Sequence, residues 1–475
     1  LRHLVWLRQD LRVQDNPALY YACLADTAEV VALYLLTPEI WRQHNVSQAQ
    51  INFMLQSLSE LQNNLAALNI PLLIKTAPTA EDVCDVVSTL TKELSITAVY
   101  VNYVYGVNEQ LLEQSVATSL TEQNVAFHGY HDQVIFEPGS IKTKTHQLYQ
   151  VFTPFAKACR YALTETPIHL LPIPNKRINS LCNNAPLPPV DDAIFSLNPG
   201  ELSAQKQLQQ FVHETLLHYH QTRDYPVERT SLLSPYLATG MLSIRTCYVT
   251  ADKMRSPTDD NTGVDTWLNE LWWREFYRHL MAKIPRLSKY KPYQLNTERI
   301  PWRYDENLFA AWCEGKTGIP IIDAAMRQLA QTHWMHNRLR MVVAMFLTKN
   351  LLIDWRWGEK YFMQQLVDGD FASNNGGWQW CASTGTDAVP YFRVFNPIAQ
   401  SEKYDPDGNF IRAYCPELAG LSAKEIHEPY ARAPQKMQDS GYRKPIVNLS
   451  ESRKKAIDVF QKINRLPNYL DQTDQ

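Results

Sequence analysis

Apolar and β-branched residues run together at 3–7, 29–36, 71–75 and 96–102. Between these runs lie stretches whose apolar positions recur every three or four residues, notably 48–68 and 80–93. Strand alternating with helix predicts a parallel sheet flanked by helices. The alternation stops near Thr166, and from there to Gly200 seven prolines and little periodicity describe a long connector over the surface. Beyond it the apolar spacing is helical almost throughout, clearest over Thr266–Ala282 and Thr332–Lys349, and β-like runs disappear. The pattern predicts an α/β domain over 1–165, a connector over 166–200 and an all-α domain over 201–475, with no internal repeat.

Composition narrows the function classes. The chain has 475 residues, 45% hydrophobic and 20% charged, which excludes a disordered or collagenous protein. Its formal charge of -3 means that contact with a polyanion requires a local basic patch. Eight scattered cysteines, without CxxC or CxxH spacing, argue against a disulfide framework or structural zinc and fit a reducing cytoplasm. No apolar run approaches the roughly 18 residues of a membrane span, and no signal-peptide pattern opens the chain. The first glycine is Gly106, so the α/β half holds no glycine-rich phosphate loop, and Gly315-Lys316-Thr317 fails as a P-loop because Ala310 stands where its first glycine belongs. Ten of the twelve tryptophans fall between Trp267 and Trp380, which marks either a large aromatic core or an electron-active site.

Four segments carry candidate chemistry. On a helix turning about 100° per residue, Trp267, Glu270, Trp273, Arg274 and Tyr277 share one arc of about 120°, with Trp272 nearly opposite. Such a stripe is either a ligand-facing surface or a core helix with an internal salt bridge. In the second, Trp334, Asn337, Arg338 and Met341 fall on one face, and Ala324–Ile353 has no acid but carries Arg327, Arg338, Arg340 and Lys349. This suits phosphate contact, or is simply a solvated or core face. The third joins Asp368, Asp370 and Asn374 to Trp378 and Trp380; without a nearby histidine or a calcium-loop carboxylate it predicts no metal, and its polar groups suit the edge of a ring cofactor. In the fourth, Thr230, Ser231 and Ser234 lead into a helix with Pro235 in its first turn, an anion site or plain N-capping.

These segments, in this order behind the opening HLVWLRQDLRVQDNPAL, resemble the photolyase/cryptochrome family, and within it the bacterial class I cyclobutane pyrimidine dimer photolyases. The runs GKTGIPIIDAAMRQL, WMHNRLRM and NNGGWQWCASTGTDAVPYFRVFNP are highly specific. The resemblance implies FAD, held U-shaped by Tyr219, Thr230, Ser231, Leu232, Leu233, Ser234, Trp267, Glu270, Arg274, Asn337, Asp368, Asp370 and Asn374, with Arg340 paired to Asp368. It implies that light-excited reduced flavin passes an electron to a dimer flipped out of DNA, whose cyclobutane ring then opens. Trp273, Met341 and Trp380 would wall the lesion, Glu270 and Asn337 would bond its base edges, and Arg223, Arg274, Arg338 and Arg393 would meet phosphates.

By the same likeness Asn374 would lie beside flavin N5, and Trp302, Trp355 and Trp378 would relay electrons. His44, Asn108, Glu109 and Lys289 match contacts to a methenyltetrahydrofolate antenna, with Ser288 standing where a close relative has Cys and a deazaflavin as the competing antenna. Asn337 and Met341 replace the two histidines of (6-4) photolyases, while Met341 and Trp380 favour repair over plant-type or DASH-type cryptochromes. The expectation is a monomeric, cytoplasmic bacterial lyase acting on dimer-containing DNA. The alternatives are a blue-light receptor without repair activity, or a dark flavin oxidoreductase, against which the missing nicotinamide loop counts.

Overall fold

The computed structural model describes residues 1–180, 184–191, 196–438 and 440–465; Cys182 and parts of the expected connector lie outside them. The described residues divide into two compact units, one comprising 1–220, 231–288 and 367–370, the other 221–230, 289–366 and the residues from 371 onward.

The first unit is built on five parallel strands, β1 (Arg2–Leu7), β2 (Glu29–Leu36), β3 (Leu72–Thr76), β4 (Ala98–Asn102) and β5 (Ala126–Tyr130), in the order β3-β2-β1-β4-β5. The register places Val5 between Ala32 and Tyr100. Helices α1 (Gln48–Ala67), α2 (Ala80–Glu93), α3 (Val107–Glu122) and α4 (Phe152–Glu165) follow, then α5 (Glu201–Glu214), α6 (Ser234–Thr239), α7 (Ile244–Asp252) and α8 (Thr262–Lys283). The central strands are buried on both faces, which is why they read as unbroken apolar runs. Strand β5 escapes that pattern because it is a half-exposed edge.

In such a sheet a ligand crevice is expected where the strand order reverses, here between β1 and β4. Side chains fill that position instead. Arg8 bonds the Asn102 carbonyl (2.5 Å) and Glu113 (2.5 Å), and the Asn102 amide reaches Asp10 (2.7 Å) and Asn16 (2.8 Å). Burial pushes the Asp10 carboxyl up from its ordinary value, so these amides and a high proton affinity together settle it in the interior. The described connector follows the edge of the sheet: Asn184 and Ala185 bond the backbone of Leu72, and buried Arg177 donates to the carbonyls of Cys23 (3.0 Å) and Ala28 (3.0 Å).

Helices α5 to α8 belong to the same unit, and buried charges join them to residues 12–15 and to Asp132. Arg245 bonds Asp15 (3.0 Å) and Asp132 (2.8 Å), Arg12 bonds Asp132 (2.5 Å), and Glu201 accepts from the amides of Val13 and Gln14 (both 2.9 Å). Gly240 makes this approach possible: at φ +70 it lies where a Cβ would meet the Gln9 carbonyl at 1.9 Å.

The second unit is helical, with α9 (Pro320–Thr332), α10 (Asn337–Met345), α11 (Trp355–Gln365), α12 (Phe371–Ala382), α13 (Pro397–Tyr404) and α14 (Leu449–Asn464) as its main elements. One helix was expected over Thr332–Lys349; instead α9 ends at Thr332, His333 turns left-handed (φ +56), and α10 begins at Asn337. Trp334 therefore lies before α10 and does not share the face of Asn337 and Met341. The segment ends in a π-helical turn, Phe346–Asn350. No helix among the described residues is long and apolar enough to cross a membrane.

Candidate active site

On α8 most of the circumference is buried, but Glu270, Trp273, Arg274 and Tyr277 are only half-buried and form a continuous strip. Trp267 heads the strip from the interior against Phe211 (ring centroids 5.1 Å apart), and Trp272 faces away, fully buried beside Tyr248. Trp273 stacks on Phe152 at 3.7 Å and 7°, which fixes the plane of its indole. Arg274 donates to the carbonyls of Gln133 (2.5 Å) and Leu237 (3.3 Å); burial and the neighbouring Arg278 cation bring its pKa down to about 10. Its guanidinium is thus committed to positioning, although the sequence marked it equally for phosphate contact.

The loop 367–370 is tied to this unit from two sides. Gln50 of α1 donates to the Gly369 carbonyl at 2.8 Å, and Asp370 takes a two-pronged pair from Arg278. Asp368 is buried in the same loop. Arg278 escaped the sequence reading; its signal was the four-residue spacing from Arg274 along α8.

Nearby in sequence, Leu232 holds a left-handed φ of +52, so the chain turns at Thr230–Leu233 before α6 begins. No side chain caps that six-residue helix, Leu233 is buried, and the Ser231 carbonyl is held by Gln207 at 2.8 Å. Tyr219 packs edge-on against Phe211 (5.8 Å). This donor set of hydroxyls, amides and guanidinium beside indoles fits a flavin and its diphosphate, one polar edge with apolar faces.

In the second unit, α10 starts on His336, whose Nδ1 accepts from the Arg338 amide at 3.1 Å. Burial lowers that imidazole to about 4, so it is neutral and can cap. Exposed Asn337 lies 3.9 Å from the sulfur of half-buried Met341, which brings together two expected lesion contacts. Arg340 donates to the Met335 carbonyl (2.8 Å). The continuous basic face expected here does not form: Arg338 pairs with Asp224 (2.7 Å) over the Tyr404 ring, Arg327 pairs with Glu417 (2.8 Å), and Lys349 is buried on the Ala382 carbonyl and Ser383. Absence of acids in sequence did not mean absence of acids in space. Arg223 lies 3.9 Å from Asp224, and Arg393 and Lys289 are exposed.

Asn374 sits on α12 with its amide donating to the Glu359 carbonyl of α11 at 2.9 Å, which leaves its own oxygen pointing the other way. Beside it Asn375 donates to the Glu359 carboxyl (2.7 Å) and accepts from Gln379 (2.9 Å). Glu359 is fully buried and its pKa is pushed up to about 8 by loss of water, so it is a neutral acid at pH 7. Nothing in its local sequence announced that. Trp378 packs edge-on to Phe362 (5.0 Å) and Trp312 (6.0 Å), Trp302 to Phe460 (6.0 Å), and Arg356 lies over Trp355 (5.0 Å). Trp380 is half-buried.

Of the expected antenna residues, three meet within the first unit. His44 bonds Glu109 at 3.0 Å and Asn108 at 3.2 Å; the bond to Glu109 raises the imidazole, and Glu109 is held below its ordinary value although burial opposes this. Ser288 reaches the Val107 amide at 3.4 Å.

Residues 3–175 match the family model described as DNA photolyase, and 267–462 match the FAD binding domain of DNA photolyase. The chain is 45% identical over 467 residues to the deoxyribodipyrimidine photo-lyase of Escherichia coli, covering 97% of this chain and 98% of the relative. It is 45% identical over 437 residues to that of Vibrio cholerae, covering 90% and 92%. Among solved structures, a class III photolyase from Agrobacterium tumefaciens superposes with a TM-score of 0.87 at 32% identity over 98% of each chain. A Synechocystis cryptochrome does so at 0.85 and 29%, covering 97% and 99%.

Proposed function

The chain belongs to the photolyase/cryptochrome family, close to bacterial deoxyribodipyrimidine photo-lyases, and from that premise we propose which of its own side chains carry the reaction. The activity is light-dependent repair of cyclobutane pyrimidine dimers by a lyase that uses FAD; a receptor without repair is not better supported. Bound FAD supplies a light-excitable electron donor. Everything else is asked of the protein.

We assign the flavin contacts to Tyr219, Thr230, Ser231, Leu232, Leu233, Ser234, Trp267, Glu270, Arg274, Asn337, Arg340, Asp368, Asp370 and Asn374. Asn374 holds one orientation because its amide is spent on the Glu359 carbonyl, so a carbonyl oxygen is offered to a flavin N–H. Glu270, on the half-buried strip of α8, accepts from the base edge of the dimer; Trp273, Met341 and Trp380 exclude water around it. Asn337, exposed at the first position of α10, donates to the carbonyls on which negative charge develops. Arg223, Arg338 and Arg393 approach the DNA backbone, while Arg274, a member of the strip, holds its place through the carbonyls of Gln133 and Leu237. Trp302, Trp355 and Trp378 pass electrons inward from the surface.

His44, Asn108 and Glu109 of residues 1–165, with Lys289 of 201–475, are assigned to a methenyltetrahydrofolate antenna; residues 1–165 are read as the antenna domain and 201–475 as the catalytic domain, joined by 166–200. The protein acts on DNA as a monomer in a bacterial cytoplasm. What carries the reading is the half-buried strip of α8, on which a carboxylate, a guanidinium and an indole locked by stacking are gathered on one surface. Glu270→Ala tests it. Losing one hydrogen bond to a charged group, about 1.5–3 kcal/mol, should lower repair per absorbed photon about ten- to hundredfold, while FAD, held by the other assigned contacts, stays bound as read from its visible spectrum. Unaltered repair would remove Glu270 from the reaction.

A further inference from the structure

Lys349 sits in the π-helical turn Phe346–Asn350 that follows α10, and is 1% exposed. The turn closes with the Leu351 amide on the Phe346 carbonyl (3.0 Å), one residue wider than an α-helical turn, a widening frequent at functional sites. The Lys349 amine donates to the Ser383 hydroxyl (2.9 Å) and to the Ala382 carbonyl (3.2 Å), and lies 3.4 Å from the centre of the Phe460 ring. No carboxylate pairs with it among the described residues, and burial drives its pKa well below the ordinary value. Taking such a group out of water costs free energy, and an apolar side chain of similar volume is often neutral or stabilising in its place. Stability therefore does not account for Lys349. What its contacts do is fix geometry.

Both acceptors belong to the end of α12. Ser383 takes a left-handed φ of +59, and its hydroxyl donates to the Val389 carbonyl at 2.7 Å. The amides of Ser383 (3.3 Å) and Val389 (3.2 Å) converge on the carbonyl of Trp380. The turn 383–389 is thereby folded back onto the last turn of α12, and Lys349 holds it from the side of α10. Helix α10 also carries Asn337 and Met341, and Phe460 belongs to α14. One amine thus ties the helix that bears Asn337 and Met341 to the backbone that bears Trp380, all within the second unit.

We propose that Lys349 is a positioning residue for lesion recognition: acting through Ala382 and Ser383, it sets Trp380 against Asn337 and Met341 and so fits the pocket to a pyrimidine dimer rather than to undamaged bases. This rests on the reading of Trp380 as a wall of the lesion, and the test separates the two. FAD-loaded protein is titrated in darkness with a labelled oligonucleotide carrying one thymine dimer, and with its undamaged counterpart. Lys349→Met keeps the length of the side chain and drops the amine. It should weaken dimer binding about tenfold, while binding of undamaged DNA and the flavin spectrum stay unchanged and the melting temperature does not fall. Ser383→Gly removes the hydroxyl and keeps the turn, since glycine adopts a left-handed φ without strain. It should weaken dimer binding in the same direction, and the double variant should be no weaker than Lys349→Met, because both act through one contact. Trp380→Ala is the control. Unchanged dimer binding in that variant would remove the lesion wall and the proposal with it. Weakened binding in Trp380→Ala beside parent-like binding in Lys349→Met and Ser383→Gly would overturn the proposal alone, as would equal weakening toward both oligonucleotides. Should Lys349→Met not fold, Ser383→Gly decides by the same comparison.

Discussion

Glu359 shows how a single buried acid can govern a site it was never expected to join. Its carboxyl anchors Asn375 and its carbonyl anchors Asn374, so the orientation of α12 at the amide assigned to the flavin depends on a residue of α11. Burial raises the folded-state pKa to about 8 from an ordinary 4.5, so the folded protein keeps a proton that the unfolded chain releases. That contribution to stability is fully present below pH 4.5 and is lost as pH rises through about 8. Glu359→Gln keeps the neutral form at every pH. In urea unfolding its advantage over the parent should be absent near pH 4.5 and grow by about 1.4 kcal/mol per pH unit toward pH 8, with a parallel curve contradicting a buried neutral acid.

Elements meet at this site through very close packing. Gly358 of α11 lies where a Cβ would strike the Trp378 indole at 2.1 Å, so the two helices can approach only because that position has no side chain. Gly358→Ala must push α12 outward or tilt Trp378. A cost of about 1–3 kcal/mol in thermal unfolding is expected, together with slower light-driven reduction of oxidised flavin, because the displaced indole is the assigned relay. An alanine variant with unchanged melting and photoreduction would show that the contact is loose.

How much of this was legible in the sequence also depends on elements. Helix α8 could be read from spacing alone, since one strip of it faces a different medium from the rest and periodicity reports that difference. The break between α9 and α10 could not, because His333 adopts a left-handed turn that a helical apolar rhythm conceals. Family resemblance singled out His44, Asn108 and Glu109, which the fold then brings together. Arg278 and Glu359 stayed hidden for another reason: their importance comes from partners distant in sequence, Asp370 and Asn375. The basic stretch 324–353 misled in the same way, its charges being answered by Asp224 and Glu417.

At the scale of the molecule, the sheet and helices α5 to α8 form one unit held by a buried ion network around Arg12, Asp15, Asp132 and Arg245. Arg245→Leu would leave two buried carboxylates sharing Arg12. Removing one partner of such a network costs about 3–5 kcal/mol, so the variant should unfold at markedly lower urea concentration, and an unchanged midpoint would mean the pairs are incidental.

The activity itself rests on light moving an electron from reduced flavin to a dimer in DNA. The direct measurement is to mix reduced protein with an oligonucleotide carrying one cyclobutane thymine dimer, divide it between blue or near-UV light and darkness, and quantify restored thymines by chromatography. Restoration in the illuminated half alone is expected. No restoration under light, or equal restoration in the dark, would contradict it.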